Sequence, residues 1–456
     1  MALGVAAMLL AAPAPAQLAL PVPGGNPQRI DFADDPVLAF AAPGSDGDFR
    51  ARIAAAVLAW PGSGEAEAGQ AAAAAARAQA RSALLPVLTA SLSGSRSFDR
   101  GFAGNAAIVE GLIPRGRTDA QFGVDQLLFD FGASSGRIAG ASARLRAARA
   151  EAQRSASDTA LAAAAAWYQV LAGQTLVELA DALVARHRAI LADTAARVHA
   201  GLGAGGDVAR AEAGLADAMG EAARTARRLA AARARYRELF GSAAPAHPPR
   251  PALAPSRAGD ADTAQAMSHN SPEVQTALAL AEAARAEARA TRAEALPRLT
   301  AGVSATRFAV FEAAHNHDVR GQFSLSQRLS TGGAEAARTD EAAARARAAG
   351  FASDRVIAGA ERDAETALAD VRILDTAVET LATAYRANRR NRDTMAEQFR
   401  LSRGSLIDLI RTEQDYVAAA RALIEGSIER DLAHLTLLAR TGELLDHFGI
   451  VLPARP

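Results

Sequence analysis

The chain of 456 residues contains no cysteine. That excludes disulfides, thiolate-bound zinc, a cysteine nucleophile and a lipid-modified N-terminal cysteine. Lysine is absent too: all 50 basic residues are arginine, and 50 acidic residues balance them. With zero formal charge and the arginines spread rather than clustered, a nucleic-acid role is not expected. Aromatics make up only 5%, too few for one thick globular core. Alanine stands in their place, and alanine-rich helices pack across thin interfaces. No apolar run of membrane-spanning length follows the N-terminus, so no transmembrane helix is expected. Residues 1–16 pair an apolar stretch with a small-residue Ala14-Pro15-Ala16 site, the pattern of a signal peptide. An exported chain of this kind is periplasmic, secreted or an outer-membrane β-barrel.

What is present is a long internal repeat. Gln121, Phe122, Gln126, Gly132, Gly203, Asp207, Arg210, Glu212 and Gly241 recur as Gln322, Phe323, Gln327, Gly333, Gly404, Asp408, Arg411, Glu413 and Gly442. Each pair is 201 positions apart, without insertion or deletion. A repeat in constant register implies one folded unit used twice.

Within each repeat the hydrophobic period changes. Residues 17–48 are rich in Pro, Gly and Asp and read as a poorly ordered leader. From Phe49 to Leu85 the pattern is helical, with an interruption expected near Pro61–Gly64. Pro86 ends it. From Val87 to Ser97 the period is two: Leu88, Ala90 and Leu92 oppose Thr89, Ser91, Ser93, Ser95 and Ser97. The second copy sets Leu299, Ala301, Val303 and Ala305 against Thr300, Gly302, Ser304 and Thr306. Such alternation marks strands with one apolar and one small-polar face. Second strands are expected around 119–129 and 319–329, after loops at about 99–117 and 308–317. In a soluble sandwich the apolar face is core; in an outer-membrane barrel it meets lipid and the polar face lines a lumen. The pattern alone leaves both open. Two strand pairs cannot close a barrel, so a membrane barrel would need several chains.

After Gly132 the chain reads as helix to about Ala200, a rod of roughly 100 Å at 1.5 Å per residue. Leu161, Trp167, Tyr168, Leu171, Leu176, Leu179, Leu183, Ile190 and Leu191 recur at three- and four-residue steps, a narrow coiled-coil-like seam. Gly201–Gly206 breaks the helix, and Asp207 is expected to cap a returning one to Phe240. The second copy runs from about 334 to Leu401, turns at Ser402–Ser405 and returns to about Ala439. A Pro/Ala-rich connector follows Gly241, and Ser271-Pro272 opens a short helix that ends at Leu296-Pro297.

The order helix, Leu-Pro, strand, loop, strand, Gly, long helix, tip, helix occurs twice. Leu85-Pro86 and Leu296-Pro297, the junction runs Gln126–Gly132 and Gln327–Gly333, and the tips Arg197–Asp207 and Phe399–Asp408 carry it. In that order, over roughly residues 50–445, the chain resembles the TolC-like outer-membrane efflux and type I secretion channels. The resemblance implies a mainly α fold with a transmembrane β-barrel portion. Two long helical hairpins per chain would contribute to a trimeric α-barrel, and four strands per chain to a shared 12-stranded β-barrel. It implies an outer-membrane location with a long periplasmic portion, a homotrimer embedded in outer-membrane lipid, a periplasmic adaptor and an inner-membrane transporter, ABC or proton-driven. The expected divisions are a signal peptide at 1–16, a leader at 17–48, repeats at 49–241 and 271–442, an equatorial linker at 242–270 and a tail at 443–456. Gly132 and Gly333 mark the strand-to-helix junctions. Asp207, Arg210, Asp408 and Arg411 are the gate candidates, and Asp408 and Arg411 are spaced to pair. Arg197, Gly201, Leu202, Ser402 and Gly404 are the adaptor-docking candidates, with the first tip closer to the family pattern.

Enzyme chemistry is not expected, nor a cofactor. His315-Asn316-His317-Asp318 has metal-like spacing but reads as a solvated turn, and His187 and His199 lack partners at i,i+4. Asp125 and Asp130 flank a strand and are candidates to tune ion preference. The rival class is a periplasmic coiled-coil adaptor or scaffold without a pore; it would show one hairpin flanked by β segments rather than two.

Overall fold

The computed structural model describes residues 23, 30, 32–33, 35–42, 44, 48–99, 101, 116–311, 316–327 and 332–452. The expected signal peptide, most of the first loop and His315 lie outside them. In chain order the elements are α1 (Pro36–Ala41), α2 (Phe49–Ala59), α3 (Pro61–Ser82), β1 (Val87–Arg96) and β2 (Gly116–Phe129). Then come α4 (Ala133–His199), α5 (Gly205–Phe240), α6 (Ala261–Ser268) and α7 (Pro272–Glu294). The second repeat gives β3 (Arg298–Arg307), β4 (His317–Ser326), α8 (Ala334–Arg400), α9 (Leu406–Arg440) and α10 (Leu444–Phe448). Both long helices have 67 residues. The α4/α8, α5/α9 and β2/β4 pairs start 201 positions apart, whereas β1 and β3 start 211 apart. The extra ten residues of the first repeat therefore lie between its strands.

Two compact units emerge: Met1–Gly64, Gln153–Ser271 and Gly359–Pro453 form one, and Glu65–Ala152 with Pro272–Ala358 form the other. The first unit holds the buried aromatics. All four tyrosines and Trp167 are buried in it. Phe49 packs edge-on against Trp167, Tyr168 and Phe448, with centroids 5.3 to 5.9 Å apart. Among the described residues, α4 is long and apolar enough by composition to span a membrane, contrary to the expectation of no such helix. Two-thirds of that stretch (67%) is buried by protein, so it needs no lipid to cover it.

Two expectations are corrected in this unit. The helical break lies at Trp60, whose backbone is extended. Pro61–Gly64 is instead the first turn of α3, where a missing N–H costs nothing; the Ser63 hydroxyl donates to the Val57 carbonyl at 2.5 Å across the break. Within the leader, residues 35–42 are ordered. Asp35, 1% exposed, caps α1 by accepting the Val37 and Leu38 N–H groups at 2.9 and 3.0 Å. Its carboxylate also accepts the Tyr385 hydroxyl at 2.9 Å and pairs with Arg389 on α8. Composition alone marks this segment as loop; long-range pairing of one carboxylate makes it core.

The connector is fastened to the same unit. Arg250, buried, grips Asp431 of α9 through two bonds of 2.7 and 2.8 Å. It also donates to the carbonyls of Phe40, Ala41 and Ser427. Trp167 and Gln174 of α4 donate to the carbonyls of Pro249 and Pro245 at 3.2 and 2.9 Å.

The second unit shows the thin alanine interface. The buried residues of α7 are Val274 and six alanines. Gly136 of α4 sits so close to α7 that a Cβ there would lie 2.9 Å from that of Ala290. Arg137–Glu294 and Arg146–Glu282, each 2.5 Å, flank this contact; both pairs are solvent-exposed and worth at most about 1 kcal/mol. The unit's sheet is antiparallel in the order β1-β2-β3-β4. β2 begins three residues before its expected start, and β4 ends at Ser326 rather than near 329.

Candidate functional site: a two-faced sheet and the hairpin tips

Register assigns each strand residue to a face. Leu88, Val124, Val303 and Gly321 form one cross-strand row, and Ala90, Phe122, Ala305 and Val319 the next. The opposite face carries the rows Thr89, Gly123, Ser304, Arg320 and Ser91, Gln121, Thr306, Asp318. Among the described residues no layer covers the apolar face: Leu88 is 77% exposed, Phe323 78% and Leu325 70%. A soluble sandwich buries that face, so the bare face decides between the two readings that the alternation allows. Phe129 and Phe131, exposed and 4.6 Å apart, lie at the end of the apolar band, where barrels place their aromatic girdles. Asp125 stands on the polar face opposite Val87 and Gly302. Asp130 serves the start of α4, accepting the Ser134 N–H at 2.7 Å.

The two tips share one backbone design. Helix α4 closes with Gly201 N–H to Val198 (3.0 Å) and Leu202 N–H to Arg197 (2.8 Å). Helix α8 closes identically, with Ser402 to Phe399 (3.0 Å) and Arg403 to Gln398 (2.8 Å). This double closure requires a left-handed residue. Gly201 has φ +73° and Ser402 φ +58°, so serine adopts a glycine conformation at a cost of about 1 kcal/mol. The opposite exchange occurs at the strand-to-helix junctions: Phe131 (φ +53°) occupies the position that Gly332 (φ +61°) fills in the second repeat. Gly132 and Gly333 follow at φ +96° and +89°. Ser402→Gly is expected to slow amide hydrogen exchange across 399–405, gaining roughly 0.5–1 kcal/mol of local stability.

Asp207 is not the N-cap. Helix α5 starts at Gly205, with Ala204 as N-cap. Asp207 is the third helical residue and accepts the Ala204 N–H at 3.3 Å. In the second repeat Ser405 caps α9 by accepting the Ile407 N–H at 3.1 Å, which leaves Asp408 at the third position. The i,i+3 ion pair forms in the first repeat, Asp207–Arg210 at 3.1 Å. Among the described residues Asp408 and Arg411 form none, and both are exposed.

Arg197 joins the tips. Its guanidinium donates to the carbonyls of Phe399 and Arg400 at 2.8 and 3.3 Å and lies 4.3 Å from the Phe399 ring centroid. It thus satisfies orphan carbonyls at the end of α8. A cavity of about 260 Å³ beneath it is lined by Leu202, Asp207, Arg210, Ser402, Gly404 and Ile407 among others. A Cβ on Gly404 would come within 3.0 Å of the Phe399 nitrogen, so the turn needs glycine there. Leu202 and Ile407 are exposed.

Deeper along the hairpins, charges sit where seam periodicity predicts surface. Glu413, 2% exposed, pairs with Arg186 of α4 at 2.7 Å. His187 is buried beside it; desolvation, aided by the charge of Arg186 and opposed by Asp217, holds its pKa below the usual range. Among the described residues no group of three His, Asp or Glu side chains is arranged to hold a metal.

A four-stranded sheet with a bare apolar face and open edges, carried with long helical hairpins, is a fold that solved outer-membrane channels share. Residues 64–242 match the family model of outer membrane efflux proteins. The structure is similar to the outer membrane protein VceC from Vibrio cholerae (TM-score 0.78, 16% identity, 87% of this chain and 96% of that one). It is also similar to the CmeC outer membrane channel of Campylobacter jejuni (0.76, 13%, 94% and 95%). The open state of the MtrE outer membrane channel of Neisseria gonorrhoeae is a third such structure (0.72, 20%, 88% and 90%). Among curated proteins none matches the chain in sequence.

Proposed function

We propose that three copies form the exit duct of a tripartite efflux pump, a passive conduit opened by a periplasmic adaptor and energised by an inner-membrane transporter. The observation that carries this reading is the sheet: bare on its apolar face and unpaired beyond β1 and β4. Four antiparallel strands are an even number, so β4 of one copy meets β1 of the next antiparallel. Three copies supply twelve strands, enough to close a barrel with no edge left in lipid. With the apolar face toward lipid, Thr89, Ser91, Gln121, Ser304 and Thr306 line the lumen.

The tips are the adaptor's docking surface. Leu202 and Ile407 offer exposed apolar contact, and Gly201, Ser402 and Gly404 shape the turns beneath. Arg197 acts inside the protomer, fastening one tip to the other. Asp207, Arg210, Asp408 and Arg411 form the gate, and the unpaired Asp408 and Arg411 are available to a neighbouring copy. The chain should fractionate with outer membranes, run as a trimer on an unboiled gel and conduct weakly in a planar bilayer. Replacing Asp408 and Arg411 by alanine should raise single-channel conductance severalfold. A soluble monomer would sink the duct; unchanged conductance would remove the gate and leave the duct standing.

A further inference from the structure

The strand-to-helix junctions of the two repeats match in position but not in charge. In the first, Asp130 accepts the Gly132 N–H at 3.2 Å and the Ser134 N–H at 2.7 Å. Burial opposes its ionisation, but the Ser134 and Gly132 hydrogen bonds and Arg137 outweigh burial and hold its pKa below the usual range. Arg137 is engaged by Glu294 at 2.5 Å and approaches Asp130 to 3.9 Å. In the second repeat Arg338 stands 201 positions after Arg137, and Thr331 takes the place of Asp130 in the sequence. Arg338 has no ion-pair partner among the described residues, and neither has Arg298 at the start of β3.

Both arginines line one cavity of about 540 Å³ with Arg137, Leu296 and three carboxylates, Asp130, Glu294 and Glu335. Of the carboxylates, Asp130 is engaged by the Gly132 and Ser134 N–H groups, Glu294 by Arg137, and Glu335 lies in the first turn of α8, where the helix dipole favours it. Arg338 lies near that same helix start, where the dipole disfavours a cation. An anion between the two free guanidinium groups would offset this. The cavity also sits at the end of the apolar strand band: Leu296, 44% exposed, lines it, and Phe129 and Phe131 are exposed at the same junction level. The fitting anion therefore carries hydrocarbon.

We propose that this cavity binds the phosphate headgroup of an anionic phospholipid from the periplasmic leaflet of the outer membrane. Arg298 and Arg338 hold the phosphate and Leu296 meets the acyl chain. Paired arginines suit phosphate because their planar forks bind it bidentately. The site draws its free cations from the second repeat, whereas the charged groups that the first repeat contributes, Asp130 and Arg137, are already engaged.

The test titrates the full chain in detergent with dioctanoyl phosphatidylglycerol, dioctanoyl phosphatidylcholine or glycerol 3-phosphate, followed by calorimetry. The glycerol lipid should bind at least about tenfold more tightly than the choline lipid, and glycerol 3-phosphate far more weakly than either. Arg298→Ala with Arg338→Ala should erase the preference, while Arg292→Ala, outside the cavity, should keep it. If the alanine pair misfolds by circular dichroism, Arg298→Gln with Arg338→Gln gives the same reading. Equal affinity for the two lipids, a preference surviving in the double variant, or glycerol 3-phosphate binding as tightly as the lipid would each overturn the proposal.

Discussion

Val303→Arg is expected to abolish the membrane-inserted, heat-modifiable form of the protein, whereas its neighbour Ser304→Arg is not. Val303 lies mid-strand, between Val124 on β2 and Gly321 on β4, on the face that no other element covers. An arginine facing lipid near the bilayer midplane costs about 2–4 kcal/mol per copy. Three copies in one barrel would each bear that cost, which is comparable to a whole domain's margin of stability. Ser304 projects from the other face, which lines the lumen of the proposed barrel; an arginine there would narrow the passage and change ion preference without an insertion penalty. Heat-modifiability on unboiled gels measures the first effect and single-channel selectivity the second. Equal insertion of both variants would mean that the two faces are assigned wrongly.

Asp431→Ala should cost about 3–5 kcal/mol, among the largest single losses available to the helical unit. It strands the Arg250 guanidinium, 5% exposed, with only the carbonyls of Phe40, Ala41 and Ser427 around it. The charge remains and its counter-charge goes. Removing both partners together, as Arg250→Met with Asp431→Leu, should recover most of the loss, because two desolvated ions are then no longer buried. Trp167, bonded to the Pro249 carbonyl beside Arg250, reports the event in denaturant titrations by fluorescence. A cost below 1 kcal/mol for Asp431→Ala would show that water reaches the pair.

Much of the architecture is legible in the chain because two independent signals agree. The period of two in Val87–Ser97 and the period near 3.6 in Leu161–Leu191 differ enough to separate strand from helix. The register of 201 then transfers each boundary from one repeat to the other. What escapes is whatever depends on contacts between distant segments. Asp35 looks like a leader residue until Tyr385 and Arg389, some 350 positions on, supply its partners. Arg197 reads as a docking residue because its two acceptors belong to the other hairpin. The caps miss by three positions because Ala204 has no side-chain acceptor and Asp207, the nearest carboxylate, serves the helix start from its third residue. Pro61 reads as a break because proline ends helices as well as starting them; here it opens α3, and the break is the extended Trp60 before it.

The fastening between the tips uses a guanidinium, two main-chain carbonyls and a phenyl ring. Main-chain carbonyls and phenyl rings do not titrate, and the guanidinium group is not deprotonated in proteins. A latch built from carboxylates would slacken as its acids protonate; this one would not. Acidification of the periplasm, which follows the outside medium, therefore leaves the bond between Arg197 and the end of α8 intact. What can loosen it is a competing set of carbonyls or carboxylates brought to Arg197 from outside, or a pull on the helices themselves. The fastening between the tips thus ignores the chemical weather around it and answers to touch.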